Sequence, residues 1–214
     1  MSGPSPFLGH PIEANDPALT INSEVQPYLE VDPTNPNHLV GVWIQDFARG
    51  IVAAVSFDAG STWQSAAVPG ITVASGGVYP RSSDPWVSFS PNGDVYLSAH
   101  GHDLPQTRPN AILVSKSIDG GLTWGNPTTI IDDHQVYNDK ESITADPYNA
   151  QYAYASWTRV IGQGQGRAMF SRTTDGGQTW EPAHDTRRGS PRRIGCRRPS
   201  SAGRTGGRSA GGGP

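Results

Sequence analysis

The chain has 214 residues with only 16% charged, 26 Gly and 19 Pro, a profile that favours many short strands and turns over long helices. No run of about 18 apolar residues is present to cross a membrane as a helix, and the single cysteine, Cys196, excludes a disulfide framework or a cysteine-based metal site. The net charge of −3 hides a split: eight arginines (187, 188, 192, 193, 197, 198, 204, 208) face only Glu181 and Asp185 in the last 34 residues, whereas residues 1–180 hold eight Lys plus Arg against seventeen Asp plus Glu.

In chain order, residues 1–23 form an N-terminal extension. Its start, MSGPSPFLGHP, lacks a basic region followed by an apolar stretch, so no export signal is expected and the compartment stays open. A repeat then begins. Residues 25–33, 83–91 and 139–147 align without gaps, each reading as a short strand that ends in a proline turn. Second strands are predicted over 38–45, 94–100 and 151–158, and third strands over 51–57, 111–118 and 167–173.

Each third strand runs into one octet. Ser56-Phe57-Asp58-Ala59-Gly60-Ser61-Thr62-Trp63 returns as Ser117-Ile118-Asp119-Gly120-Gly121-Leu122-Thr123-Trp124 and as Thr173-Thr174-Asp175-Gly176-Gly177-Gln178-Thr179-Trp180. The aspartates are 61 and 56 residues apart, a period too long for a helical hairpin and suited to a propeller blade. Asp and Ser or Thr can bond backbone N–H groups just ahead and close a turn locally. Gly60, Gly121 and Gly177 supply a residue able to take positive φ. Trp63, Trp124 and Trp180 then open the fourth strand with a large ring to pack. These roles are structural, so Asp58, Asp119 and Asp175 are not catalytic candidates.

The octets resemble the BNR or Asp-box family, in which this motif marks the turn between the third and fourth strands of a blade. The resemblance covers residues 24–180. It implies an all-β, sialidase-like β-propeller, six-bladed in the family's sialidases, with about three blades here at 24–78, 79–136 and 137–180. The third is expected to lose its last strand, because composition changes abruptly after Trp180. Residues 181–214 read as a disordered Arg/Gly-rich tail of aberrant origin, with nucleic-acid binding as the alternative. No nucleic-acid partner is expected, nor a membrane, and the chain is expected to be a fragment whose open blade flanks allow self-association.

The resemblance also implies where chemistry sits: on the face holding the entries to the inner strands and the loops between second and third strands. Exo-α-sialidases use three arginines for the sugar carboxylate, an Asp acid/base and a Tyr nucleophile assisted by a Glu. Asp46, in Trp43-Ile44-Gln45-Asp46, stands where the acid/base Asp is expected, the alternative being a solvated loop carboxylate. Val25 stands where the first arginine is expected. Arg81 and Asp84 line the same funnel or form a surface ion pair, and Arg49 is a further substrate-binding candidate.

Asp139 and Glu141 flank Lys140 at the third inner strand. Strand alternation predicts that both acids point to the axis, for acid/base work or for a hard cation, with charge balance by Lys140 as the alternative. His100-Gly101-His102-Asp103 reads as a polar loop rather than a zinc site, because its ligands would all come from one segment. No cofactor or metal is expected, and no nucleotide-binding glycine loop or serine-hydrolase elbow is present. The expected function is that of a glycoside hydrolase-like propeller with a carbohydrate or glycoconjugate partner, the catalytic set being incomplete in this chain. The alternative is a non-catalytic propeller that binds glycan or protein.

Overall fold

The computed structural model describes residues 4–7, 21–103, 109–162, 164–189 and 213. Most of the N-terminal extension, residues 104–108, and the tail from residue 190 apart from Gly213 lie outside the described residues. The described chain is all-β and forms three four-stranded sheets. Strands β1 (Glu24–Val31), β2 (Leu39–Gln45), β3 (Gly50–Ser56) and β4 (Gln64–Ala67) make the first. The second holds β5 (Arg81–Phe89), β6 (Val95–His102), β7 (Asn110–Ser117) and β8 (Thr128–Asp133). The third holds β9 (Tyr137–Ala145), β10 (Ala153–Gly162), β11 (Gln165–Thr173) and β12 (His184–Asp185).

Every sheet is an antiparallel meander in chain order, as short connections between sequential neighbours dictate. Two expectations are corrected here. The third sheet does not lose its outer strand, because His184 and Asp185 pair with Phe170 and Met169 of β11. The pair His100 and His102 is not in a loop, because β6 runs through His102, opposite Asn110 of β7.

The core lies between the sheets. Val40, Val42, Ile44, Ile51 and Val55 of the first sheet meet Val87, Phe89, Leu97, Leu113 and Trp124 of the second. Across the next seam, Tyr96 and Val114 meet Ile143, Ala145 and Ala153. β3 is buried along its whole length and β2 is buried on one face and half-buried on the other, so both read as nearly continuous apolar runs (Leu39-Val40-Gly41-Val42-Trp43-Ile44, Ile51-Val52-Ala53-Ala54-Val55) instead of alternating. Full burial of each Val or Ile stabilises by about 1.5–3 kcal/mol.

The three octets close one turn three times. Ser56 Oγ donates to Asp58 Oδ1 at 2.8 Å and accepts the Gly60 N–H at 2.9 Å, while Asp58 takes the Thr62 N–H at 2.7 Å and its hydroxyl at 2.6 Å. Asp119 repeats the pattern with Ser117, Gly121 and Thr123, and Asp175 repeats it with Thr173, Gly177 and Thr179. Bonds from the Thr62 and Thr179 side chains, then from their backbone N–H groups, pull Asp58 and Asp175 down to about 2. These carboxylates are consumed by the turn.

Candidate functional site

At the other end of the blades, the inner strands β1, β5 and β9 each carry a bulge at one aligned position. Gln26, Asp84 and Lys140 adopt φ of 51°, 51° and 55°, and the ladder to the second strand slips at each. A left-handed residue with an extra residue in one strand is how a bulge bends a strand and re-aims its side chains. Positive φ is uncommon for these residue types, which marks the three positions as held by their surroundings.

The bulges are joined across the blades. The Asp84 N–H donates to Gln26 Oε1 at 3.1 Å, and Lys140 Nζ donates to Asp84 Oδ1 at 2.8 Å. Asp84 Oδ2 accepts the Ser83 hydroxyl at 3.0 Å. Beside this line, Tyr28 and Trp86 stack with centroids 3.9 Å apart. Together with Pro27, Pro85, Glu141 and Ser142 these residues line a cavity of about 340 Å³ near the axis.

Glu141 is the unusual group in it. Its side chain is 3% exposed, and neither carboxyl oxygen has a hydrogen-bond partner among the described residues. Burial, then the negative charges of Asp84 and Asp139, holds its proton affinity well above the ordinary carboxylate value, with Lys140 offsetting part of this. A protonated carboxylic acid beside an ionised one is the pairing used for general-acid chemistry on glycosides.

The bulge corrects the expected alternation. Asp139 pairs with Thr158 and Ser142 with Ser156, so Lys140 and Glu141 together oppose Trp157. Asp139 therefore shares a face with Ser142, whereas Glu141 shares one with Ile143 and Ala145, toward the second sheet. The two acids do not point the same way. Close to this group, His100 is fully buried, stacks on His102 at 4.9 Å and meets Tyr137 edge-on at 5.2 Å. Burial, followed by the neighbouring His102, lowers its imidazole to about 3, so it is neutral at pH 7. Among the described residues no group of three or more His, Cys, Asp or Glu is placed to hold a metal ion.

Asp46 is not a solvated loop carboxylate. It is 1% exposed and takes the Ser5 hydroxyl at 2.6 Å, the Asn22 N–H at 2.7 Å and the Gln45 amide at 3.1 Å. Its own N–H donates to Ser23 O at 2.7 Å. It thus ties the N-terminal arm to the first blade, where Phe7 packs against Gly50. Arg49 is buried in the same turn, its carbonyl accepting the Thr72 hydroxyl at 2.6 Å. Arg81 is half-buried at the start of β5 opposite His102, and the ion pair of Asp84 is made with Lys140.

The structure thus gathers Asp84 and Glu141 and sets Asp46 and Arg49 apart from them. Sequence reasoning missed Tyr28 and Trp86 as pocket residues, whereas Gln26 was expected on this face. The gap-free alignment of the three inner strands already puts Tyr28 over Trp86, and Gln26 over Asp84 and Lys140, which was the available signal.

Comparison with known proteins gives three findings. The BNR/Asp-box repeat matches residues 171–182. A search of curated proteins by sequence gave no match. Among solved structures, the α-L-arabinanase of Penicillium chrysogenum complexed with arabinobiose is similar at 17% identity and a TM-score of 0.59, covering 78% of this chain and 50% of that one. The α-L-arabinofuranosidase of Fusarium graminearum in complex with arabinobiose gives 15%, 0.57, 79% and 50%, and a Hadza microbial sialidase gives 18%, 0.54, 72% and 36%. The chain spans half or less of these structures. At such identities the likeness establishes the fold.

Proposed function

Starting from a chain that carries a BNR/Asp-box repeat on the fold of sialidase and arabinanase propellers, we propose that the axial cavity is a glycan site of glycoside hydrolase type. Glu141 is its proton donor and Asp84 the partner carboxylate, with Asp139 as a further carboxylate 3.8 Å from Lys140 Nζ. The observation that carries this reading is the buried, unpartnered carboxyl of Glu141, a residue that lines the cavity together with Asp84, which is ion-paired with Lys140. A general acid must hold its proton near the working pH and give it up in the transition state. Burial without a partner provides the first condition, and the adjoining charges of Lys140 and Asp84 set the second.

A neutral sugar fits this cavity better than a sialic acid. Its lining holds two carboxylates and one cation, and that cation, Lys140, is already paired with Asp84 at 2.8 Å. Val25 occupies the place of a carboxylate-binding arginine, and the stacked Tyr28 and Trp86 offer the apolar wall on which a sugar ring packs. Arabinobiose is bound by two of the similar structures. A neutral arabino-oligosaccharide is therefore the substrate class to try first.

A second reading, glycan binding without turnover on the same face, is favoured by Asp46, whose carboxylate is already occupied by three donors. One experiment separates them. Titration of the chain with arabinobiose and with a sialoside, followed by calorimetry and by product analysis, should give binding and slow cleavage of the neutral sugar. Glu141→Gln should keep binding and lose cleavage. Binding with no cleavage by either form supports the second reading, and no binding of any glycan overturns both.

A further inference from the structure

The two outer flanks of the three-blade unit carry the two halves of one seam. At positions that face the preceding blade, Val87 and Phe89 are 0% and 3% exposed, and Ile143 and Ala145 are 1% and 4%. The matching residues of the first blade, Leu29 and Val31, are 50% and 41% exposed, and Trp63, which matches the buried Trp124, is 43% exposed. Leu29 and Trp63 line a groove of about 420 Å³ on that flank, in which Glu24 is the single carboxylate among the described residues. Apolar area of this kind drives association when it is covered.

The opposite flank holds a socket. At the internal seam between second and third blades, the Asp-box turn seats on the blade before it: Gly177 lies against Tyr96, and Gly176 O accepts a 2.9 Å bond from Lys116 Nζ. Tyr96 and Lys116 are cross-strand partners. Tyr154 and Arg172 are cross-strand partners at the same positions of the third blade, again a tyrosine beside a cation, and here they face outward, half-buried and exposed.

We propose that two copies of this chain associate head to tail, the Ala59-Gly60 turn of each seating on Tyr154 and Arg172 of the other. Two equal seams related by a twofold axis close such an assembly. The first turn fits the socket. Gly60 keeps the glycine that lies against the tyrosine, and Ala59 already holds the required φ of 56°. A Cβ at the matching Gly176 would meet its nearest neighbours at 3.4 Å and beyond, ordinary contact distances.

Sedimentation equilibrium of the intact chain tests this without any sugar, so its outcome is independent of the glycan assignment. The expected mass is twice the 22.8 kDa of one chain. Leu29→Arg on one flank and Arg172→Glu on the other, both at exposed positions, should each weaken association at least tenfold while leaving near-UV circular dichroism unchanged. A single-chain mass at every concentration, a dimer indifferent to both substitutions, or an open series of larger assemblies would each overturn the proposal.

Discussion

The Asp-box turns and the axial bulges are both built three times, yet they differ in where their hydrogen bonds go. Each turn satisfies its aspartate from its own octet, with Ser or Thr and Gly in fixed places. Each bulge keeps the same left-handed backbone while its side chain changes from Gln26 to Asp84 to Lys140 and bonds to a neighbouring blade. Locally closed geometry demands one set of residues, so it repeats in sequence. Geometry closed by a neighbour leaves the side chain free to differ, and that is where chemistry can be placed.

The largest effect should come from breaking a docked turn. Gly121 has φ of 101°, and a Cβ there would meet Val40 at 2.7 Å. Gly121→Val combines backbone strain with overpacking and should cost about 3–5 kcal/mol in urea unfolding. A loss below about 1 kcal/mol would mean that the seam between first and second blades is loose.

On the bulge side, Glu141→Gln should stabilise the protein at pH 7 by on the order of 1–3 kcal/mol, since it relieves a buried acid that has no partner. The sign of the pH dependence is set by a folded-state value above the unfolded one: the native state holds its proton longer, so stability contributed by Glu141 is full below about 4.5 and is lost as pH rises through the folded value. Thermal melts of the variant should lack that decline. An unchanged pH dependence would remove Glu141 from consideration as a protonated donor.

Lys140→Met should change stability by at most about 1 kcal/mol, because the Lys140 side chain is 64% exposed. Its larger signature is electrostatic. Without the cation, the Glu141 proton is held still more tightly, and the alkaline limb of any glycosidase pH profile should move up. The smallest expected change belongs to the turns in acid. Asp58 and Asp175 are depressed to about 2, so their contribution is present above about 3.8 and is lost only as pH falls toward 2. Asp58→Asn should therefore lower the melting temperature slightly at pH 7, and the gap to the unsubstituted protein should close as pH falls toward 2.

Strand order and the structural role of the octets were legible because each depends on contacts within one blade. The bulges were not. Alternation put Asp139 and Glu141 on one face, and one left-handed residue, Lys140, separated them. Asp46 was legible as a position at the end of β2, but its occupation by Ser5 and Asn22 depends on an arm distant in sequence.

The amino-acid sequence by itself determined the repeat, the turn chemistry and the propeller class, since local hydrogen bonds and strand periodicity follow from residue type and spacing. Only the tertiary structure decided that Glu141 loses its partners while Asp46 gains three, and that Leu29 is exposed where Val87 is buried. Burial and pairing are properties of what the neighbouring blade brings into contact, and no spacing within one strand encodes that.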